Sequence, residues 1–202
     1  MIKALKIATL LACLTLLTNT AHAQNHPADG LYFGLDGSYD MLKDNYEIRD
    51  NTTPVNLGEY DGSAAGGFLG YRQSKGNFTF AVEARYGYGF ASYTNVTNGS
   101  TLKHTHEFEI AALPGYWIND MLLMYVRLAA TNNSTRVNAA NNTLTNTTTN
   151  FNYGGGLEIR LNNGFSVRAE YTRSEVYGAP ITTQTTWHIK RNRFKGAIIK
   201  QF

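Results

Sequence analysis

Beyond residue 23 the chain carries four histidines, His26, His104, His106 and His188, and two of them flank Thr105 just ahead of Glu107. Hydrolysis through a covalent intermediate needs a hydroxyl within hydrogen-bond reach of a base, usually His, and a third group to orient that base. In an extended strand His104 and His106 fall on one face and Thr105 on the other, so the hydroxyl is turned away from the base it would need. These read as surface histidines, and no catalytic residue is assigned. His104, His106 and Glu107 are donors of a type that binds a metal weakly. No fourth ligand is evident, so neither a metal nor another cofactor is expected. The one cysteine, Cys13, lies in the leader described below, which leaves the remaining chain without thiolate chemistry or disulfides.

The larger group of reactive side chains is ionic. Glu83, Arg85, Glu107, Glu109, Arg127, Glu158, Arg160, Arg168, Glu170, Arg193 and Lys195 all sit at positions that alternate with apolar residues, five acids against six bases. Charges sharing one face of a closed structure must pair, because an unpaired buried charge is costly. The chemistry this set points to is therefore an ion-pair network lining a lumen.

The elements that position it are strands. Residues 78–93 are the clearest: Phe80, Val82, Ala84, Tyr86, Tyr88 and Phe90 share one face, with Glu83 and Arg85 on the other. The same period of two marks strands at 31–42, 63–72, 78–93, 104–117, 122–131, 150–161, 165–174 and 192–202. Gly66, Gly67 and Gly70 blur the second of these and place Phe68 inward. No strand supplies an all-apolar partner face, so the apolar side must meet lipid. An even number of strands of roughly ten residues predicts an all-β fold, an eight-stranded antiparallel up-and-down transmembrane β-barrel, because closure leaves no unpaired backbone in hydrocarbon.

Connections alternate in length. Those at 73–77, 118–121 and 162–164 are short, and those near 43–62, 94–103, 132–149 and 175–191 are long, which places the short turns and both termini in the periplasm and the long loops outside. Tyr71, Tyr116, Phe165 and Phe202 are expected to form the periplasmic aromatic girdle. Tyr39, Tyr88, Phe90, Phe151, Tyr171 and Phe194 are expected to form the outer one. A three-residue turn at 162–164 keeps both faces consistent across its hairpin and sets Glu158 opposite Arg168, which predicts an ion pair between them. Sliding the third strand by one residue would turn Glu83 and Arg85 toward lipid, at up to about 2–4 kcal/mol for a basic residue near the midplane.

Lys3 and Lys6 precede the apolar run 7–17, and Ala21, His22 and Ala23 form an A-x-A site. This pattern predicts a cleavable signal peptide over 1–23 and a barrel domain over 24–202. The run is shorter than the roughly 18–20 apolar residues a membrane helix requires. Removing the two leader lysines reduces the net charge from +3 to +1, which gives no support for nucleic-acid binding.

Gly30-Leu-Tyr-Phe-Gly-Leu-Asp-Gly-Ser-Tyr39, Gly67-Phe-Leu-Gly-Tyr-Arg72, Val82-Glu-Ala-Arg-Tyr86, Tyr153-Gly-Gly-Gly-Leu-Glu158 and Val167-Arg-Ala-Glu-Tyr171 together resemble the small outer-membrane β-barrel family of opacity proteins and OmpA-like barrel domains. The resemblance implies the Gram-negative cell outer membrane. It also implies a C-terminal assembly signal read by the barrel assembly machinery, carried here by Phe194, Ile198 and Phe202, with Lys200 at a site usually apolar. Some small barrels of this kind modify lipid A, but the His and Ser two residues apart of the deacylases are absent.

Segment 132–149 is nearly all Asn, Thr, Ser and Ala, and 51–54 and 182–186 are similar. That composition predicts solvated, mobile extracellular loops, where binding tends to reside. Trp187, beside His188, is a candidate loop contact because Trp is enriched at binding hot spots. The function expected is a monomeric surface protein with a plugged charged lumen, acting as a surface antigen or adhesin-like binder or as an envelope-stabilising protein. The alternatives are a small-solute pore and a lipid A-modifying enzyme. Expected partners are outer-membrane lipid and lipopolysaccharide, the assembly machinery and a host-surface ligand.

Overall fold

The computed structural model describes residues 28–48, 51–90, 92–94, 101–139, 142–178 and 185–202, and side chains at 28–41, 61–90, 106–134, 147–174 and 190–202. Alternation of apolar and polar residues, with β-branched and aromatic types prominent, turns nearly all of this into strand. In chain order the segments are β1 (Gly30–Ile48), β2 (Asn51–Lys75), β3 (Phe78–Gly89), β4 (Ser92–Thr94), β5 (Thr101–Trp117), β6 (Leu122–Ala139), β7 (Asn142–Arg160), β8 (Phe165–Gly178) and β9 (Thr185–Gln201). β3 and β4 are two pieces of one barrel strand, each pairing with β5. The order β3-β2-β1-β9-β8-β7-β6-β5, closed by β3 against β5, is an eight-stranded antiparallel up-and-down barrel.

The tight turns gather at one end. Lys75 faces Phe78 across Gly76 and Asn77, with Gly76 at φ +61°. Asn119 Oδ1 accepts from the Met121 and Leu122 amides at 2.9 and 2.8 Å. Asn163 and Gly164 take φ of +60° and +73°, and the Leu161 amide bonds to the Phe165 carbonyl at 2.7 Å. Asn and Gly occupy these positions because they tolerate the left-handed region.

At the opposite end the strands run further than sequence periodicity predicts. Residues 43–48, 51–62, 132–139 and 142–149 are strand rather than loop, and the ladders run out to Ile48↔Asn51 and Ala139↔Asn142. Composition misleads here because Thr favours strands, and cross-strand pairing can hold a ladder without an apolar core. β8 likewise runs to Gly178 and β9 starts at Thr185, so residues 175–178 and 185–191, expected in a loop, are strand.

The closed part of the barrel has a defined rim. β2 pairs with β3 only from Ala64↔Gly89 downward, and β7 with β8 only from Phe151↔Glu175 downward. Among the described residues the structure divides beyond these pairs into two four-stranded sheets, β8-β9-β1-β2 and β4-β5-β6-β7. The division starts level with Tyr88, Phe90 and Phe151. Open strand edges therefore occur only past the aromatic girdle, since hydrocarbon tolerates none.

The barrel is apolar outside and polar within. Leu69, Ile198 and Leu31 are 64%, 63% and 63% exposed, while Glu83, Arg127 and Glu158 are 1% exposed. At the turn end Phe78 meets Tyr116 edge-on at 5.1 Å; at the open end Tyr171 meets Phe194 at 5.1 Å and Tyr88 meets Phe90 at 5.4 Å. Such belts mark the two membrane interfaces.

Candidate functional site

The lumen is built in layers. Nearest the turns, Ala81, Leu113, Trp117, Leu123 and Ile199 form a buried apolar floor, which the alternation of charges did not suggest. Ala28 is buried with it, and the Asp29 carboxylate that follows accepts from the Ser74 amide and hydroxyl at 3.1 and 2.6 Å.

Above the floor lies the first charged layer. Arg72 makes a two-pronged contact to Glu158 at 2.9 and 2.7 Å. Arg168, facing Glu158 in the ladder, donates to it at 2.9 Å and to Glu83 at 2.5 Å. Arg127 donates to Glu83 at 2.6 Å and also binds Glu109 and Glu170, and Lys195 binds Glu170 at 2.8 Å. Hydroxyls complete the carboxylates: Tyr32 donates to Glu83 at 2.8 Å, Tyr125 to Glu170 at 2.8 Å and Thr131 to Glu109 at 3.0 Å. The Arg168 guanidinium is also 5.1 Å from the Phe68 and Tyr125 ring centres, a cation–π arrangement on two sides.

The second layer is nearer the open end. Arg85 grips Asp36 at 2.8 and 2.6 Å and donates to Glu107 at 2.6 Å. Arg193 holds Asp40 at 2.5 and 2.8 Å and also binds Glu107, which accepts from Arg191 at 3.0 Å. Glycines make room for these groups. A Cβ on Gly66 or Gly87 would come within 2.8 or 2.6 Å of the Arg85 guanidinium.

The buried acids are Asp36, Asp40, Glu83, Glu107, Glu109, Glu158 and Glu170, and the buried bases Arg72, Arg85, Arg127, Arg168, Arg191, Arg193 and Lys195. Among the described residues seven buried acids face seven buried bases, so these buried charges cancel. Sequence reasoning misses Asp36 and Asp40, although both alternate with outward Leu35 and Tyr39. It also misses Arg72, in the glycine-blurred second strand, and Arg191, one residue before the expected start of the last. Arg160 is a correction in the other direction. It lies opposite Ser166 at the turn end, half-buried, and outside the network.

The remaining candidates separate. Glu107 points inward and buried, whereas His106 is exposed on the outer wall, where Nδ1 lies 2.8 Å from the Tyr86 hydroxyl. The two cannot share a metal. The β5–β6 ladder shifts register between His104 and His106, and the His104 side chain lies outside the described residues. Among the described residues no cluster of His, Cys, Asp and Glu has metal-binding geometry. Trp187 pairs through its backbone with Tyr46 and Gly178, and its side chain lies outside the described residues, as does His26. Phe194, Ile198 and Phe202 all face outward. Lys200, on the same face, donates to the Asn163 carbonyl at 2.5 Å and lies 4.5 Å from the Phe165 ring centre, so its charge is drawn to the turn rather than the bilayer.

Chemically this arrangement is a set of fixed, mutually neutralising charges across the lumen cross-section. It ties together strands that lie far apart in the chain.

Comparison with known proteins agrees with this architecture. The family model described as outer membrane protein beta-barrel domain matches residues 9–193. The crystal structure of Neisserial surface protein A superposes with a TM-score of 0.58 at 12% identity, covering 86% of this chain and 97% of that one. Ail, the attachment invasion locus protein of Yersinia pestis, gives a TM-score of 0.42 at 14% identity over 84% and 99% of the chains. OprG from Pseudomonas aeruginosa gives 0.43 at 11% over 90% and 99%. No curated protein matches the chain by sequence.

Proposed function

This chain belongs to the outer membrane protein β-barrel family, and from that premise we propose that it is a non-conducting surface protein. In this reading the barrel is an anchor and the strand extensions past the outer girdle are the working surface, serving as an adhesin-like binder or surface antigen. The observation that carries it is the lumen: seven buried acids interlocked with seven buried bases above an apolar floor. An eight-stranded interior is only wide enough for its own side chains.

The short turns and both termini are assigned to the periplasm, the hairpins to the exterior, and residues 1–23 to a leader removed during export. The protein is assigned as a monomer that contacts lipopolysaccharide laterally and uses Phe194, Ile198 and Phe202 for assembly. On this reading lipid A mass profiles should be the same with and without the protein.

Planar-bilayer recording tests the reading. The purified barrel should give no steady conductance. Steady channels that disappear in Glu158→Gln or Arg168→Met would replace it with a small-solute pore. Removing residues 134–147, the tip of the β6–β7 hairpin, should abolish cell or matrix binding by bacteria that display the protein.

A further inference from the structure

β7 has a free side. The Arg160 amide donates to the Met121 carbonyl on the β6 side at 2.7 Å, and the Leu161 amide donates to the Phe165 carbonyl on the β8 side at 2.7 Å. The β6–β7 ladder runs without a register shift to Ala139↔Asn142. Even-numbered residues of β7 therefore bond to β6 throughout, and odd-numbered ones turn their backbone N–H and C=O groups toward β8. β8 meets these only as far as Phe151↔Glu175. Thr143, Thr145, Thr147 and Thr149 thus present backbone donors and acceptors on an edge that has no partner strand among the described residues. At about 3.3 Å per residue that edge runs roughly 30 Å along the strand beyond the girdle.

Natural sheets blunt such edges with proline, bulges or charge. The other long edge does so: β2 carries Pro54, Glu59 and Asp61 there, and its register shifts between Asn56 and Gly58. Segment 142–150, Asn-Thr-Leu-Thr-Asn-Thr-Thr-Thr-Asn, has no proline, glycine or charge. Its alternate β-branched residues favour the extended form. A second copy in the same membrane would bring its β7 alongside in the same direction, giving the weaker parallel ladder. A soluble chain can run antiparallel.

From the surface-binder reading above, on which it rests, we infer that the free edge of β7 at residues 142–150 docks an uncharged extended segment of a soluble polypeptide by strand addition. Backbone hydrogen bonds supply the affinity, and the outer-face threonines set which side chains fit.

The test uses the full barrel in lipid nanodiscs and a synthetic peptide of alternating Thr and Val. In the free protein, amide exchange should alternate, slow at Leu144, Asn146 and Thr148 and at least about tenfold faster at Thr145 and Thr147. The peptide should slow exchange at Thr145 and Thr147 by about tenfold, and a copy N-methylated along one edge should not. Thr145→Pro and Thr147→Pro remove only edge-facing N–H groups, so they should abolish peptide binding while the β6–β7 amides stay protected. Thr147→Ala should bind normally. Equal protection of odd and even residues in the free protein, or unimpaired binding by both proline variants, overturns the inference. A dimer in detergent that both proline variants dissolve overturns the soluble occupant in favour of a second copy. On cells, binding that survives both prolines yet is lost with the hairpin tip sinks strand addition and leaves the surface-binder reading standing. Binding that survives tip removal sinks both.

Discussion

Arg168 has the most demanding position in the lumen, touching Glu83 and Glu158 while packed against Phe68 and Tyr125. Removing one partner of a buried pair costs more than the pair itself contributes, because the charges left behind stay desolvated. Arg168→Met should therefore destabilise the barrel by about 3 kcal/mol in urea unfolding from lipid vesicles. Lys75→Met, at an exposed turn position, should stay within about 0.5 kcal/mol. Part of this site is legible in the sequence and part is not. The Glu158 and Arg168 register follows from one turn length and one alternation. Asp36 and Asp40 obey the same alternation, but two short acids that share their face with Gly34 and Ser38 give less signal than a Glu-x-Arg repeat. Arg72 is hidden because three glycines interrupt the pattern around it.

Those glycines make sense at the scale of the strand pair. Phe68 on β2 occupies the space over Gly34 on β1, and Tyr32 on β1 occupies the space over Gly70 on β2. The two strands interlock ring over glycine, and Tyr32 and Phe68 meet edge-on at 6.3 Å. A methyl group at Gly34 must push into the Phe68 ring. Gly34→Ala should cost about 1–3 kcal/mol, with Phe68→Leu restoring part of it on that background but destabilising the parent; thermal unfolding of the four variants checks this cycle. Period-two reading gives the existence and direction of each strand. It fails at their outer ends, where polar threonine and asparagine take both faces and no apolar rhythm remains to mark how far the ladder continues.

For the molecule as a whole, the inverted distribution of polarity decides what stabilises it. Surface ion pairs weaken with added salt, but pairs shut inside a closed wall are barely screened. Raising sodium chloride from tens of millimolar to about one molar should leave the urea midpoint within error. A fall in the midpoint would mean that water and ions reach the lumen freely, and would weigh toward the pore.

The partners in that lumen are far apart along the chain. Arg193 reaches Asp40 across 153 residues, and Arg168 reaches Glu83 across 85. None of these contacts exists while the ends of the polypeptide are apart, and loop closure must precede the gain they bring. Maturation should therefore hinge on one late event, the meeting of first and last strands. Before it the chain should be easily degraded; after it, leaving the folded state means tearing many linkages at once, so the protein should persist far longer than its modest size suggests.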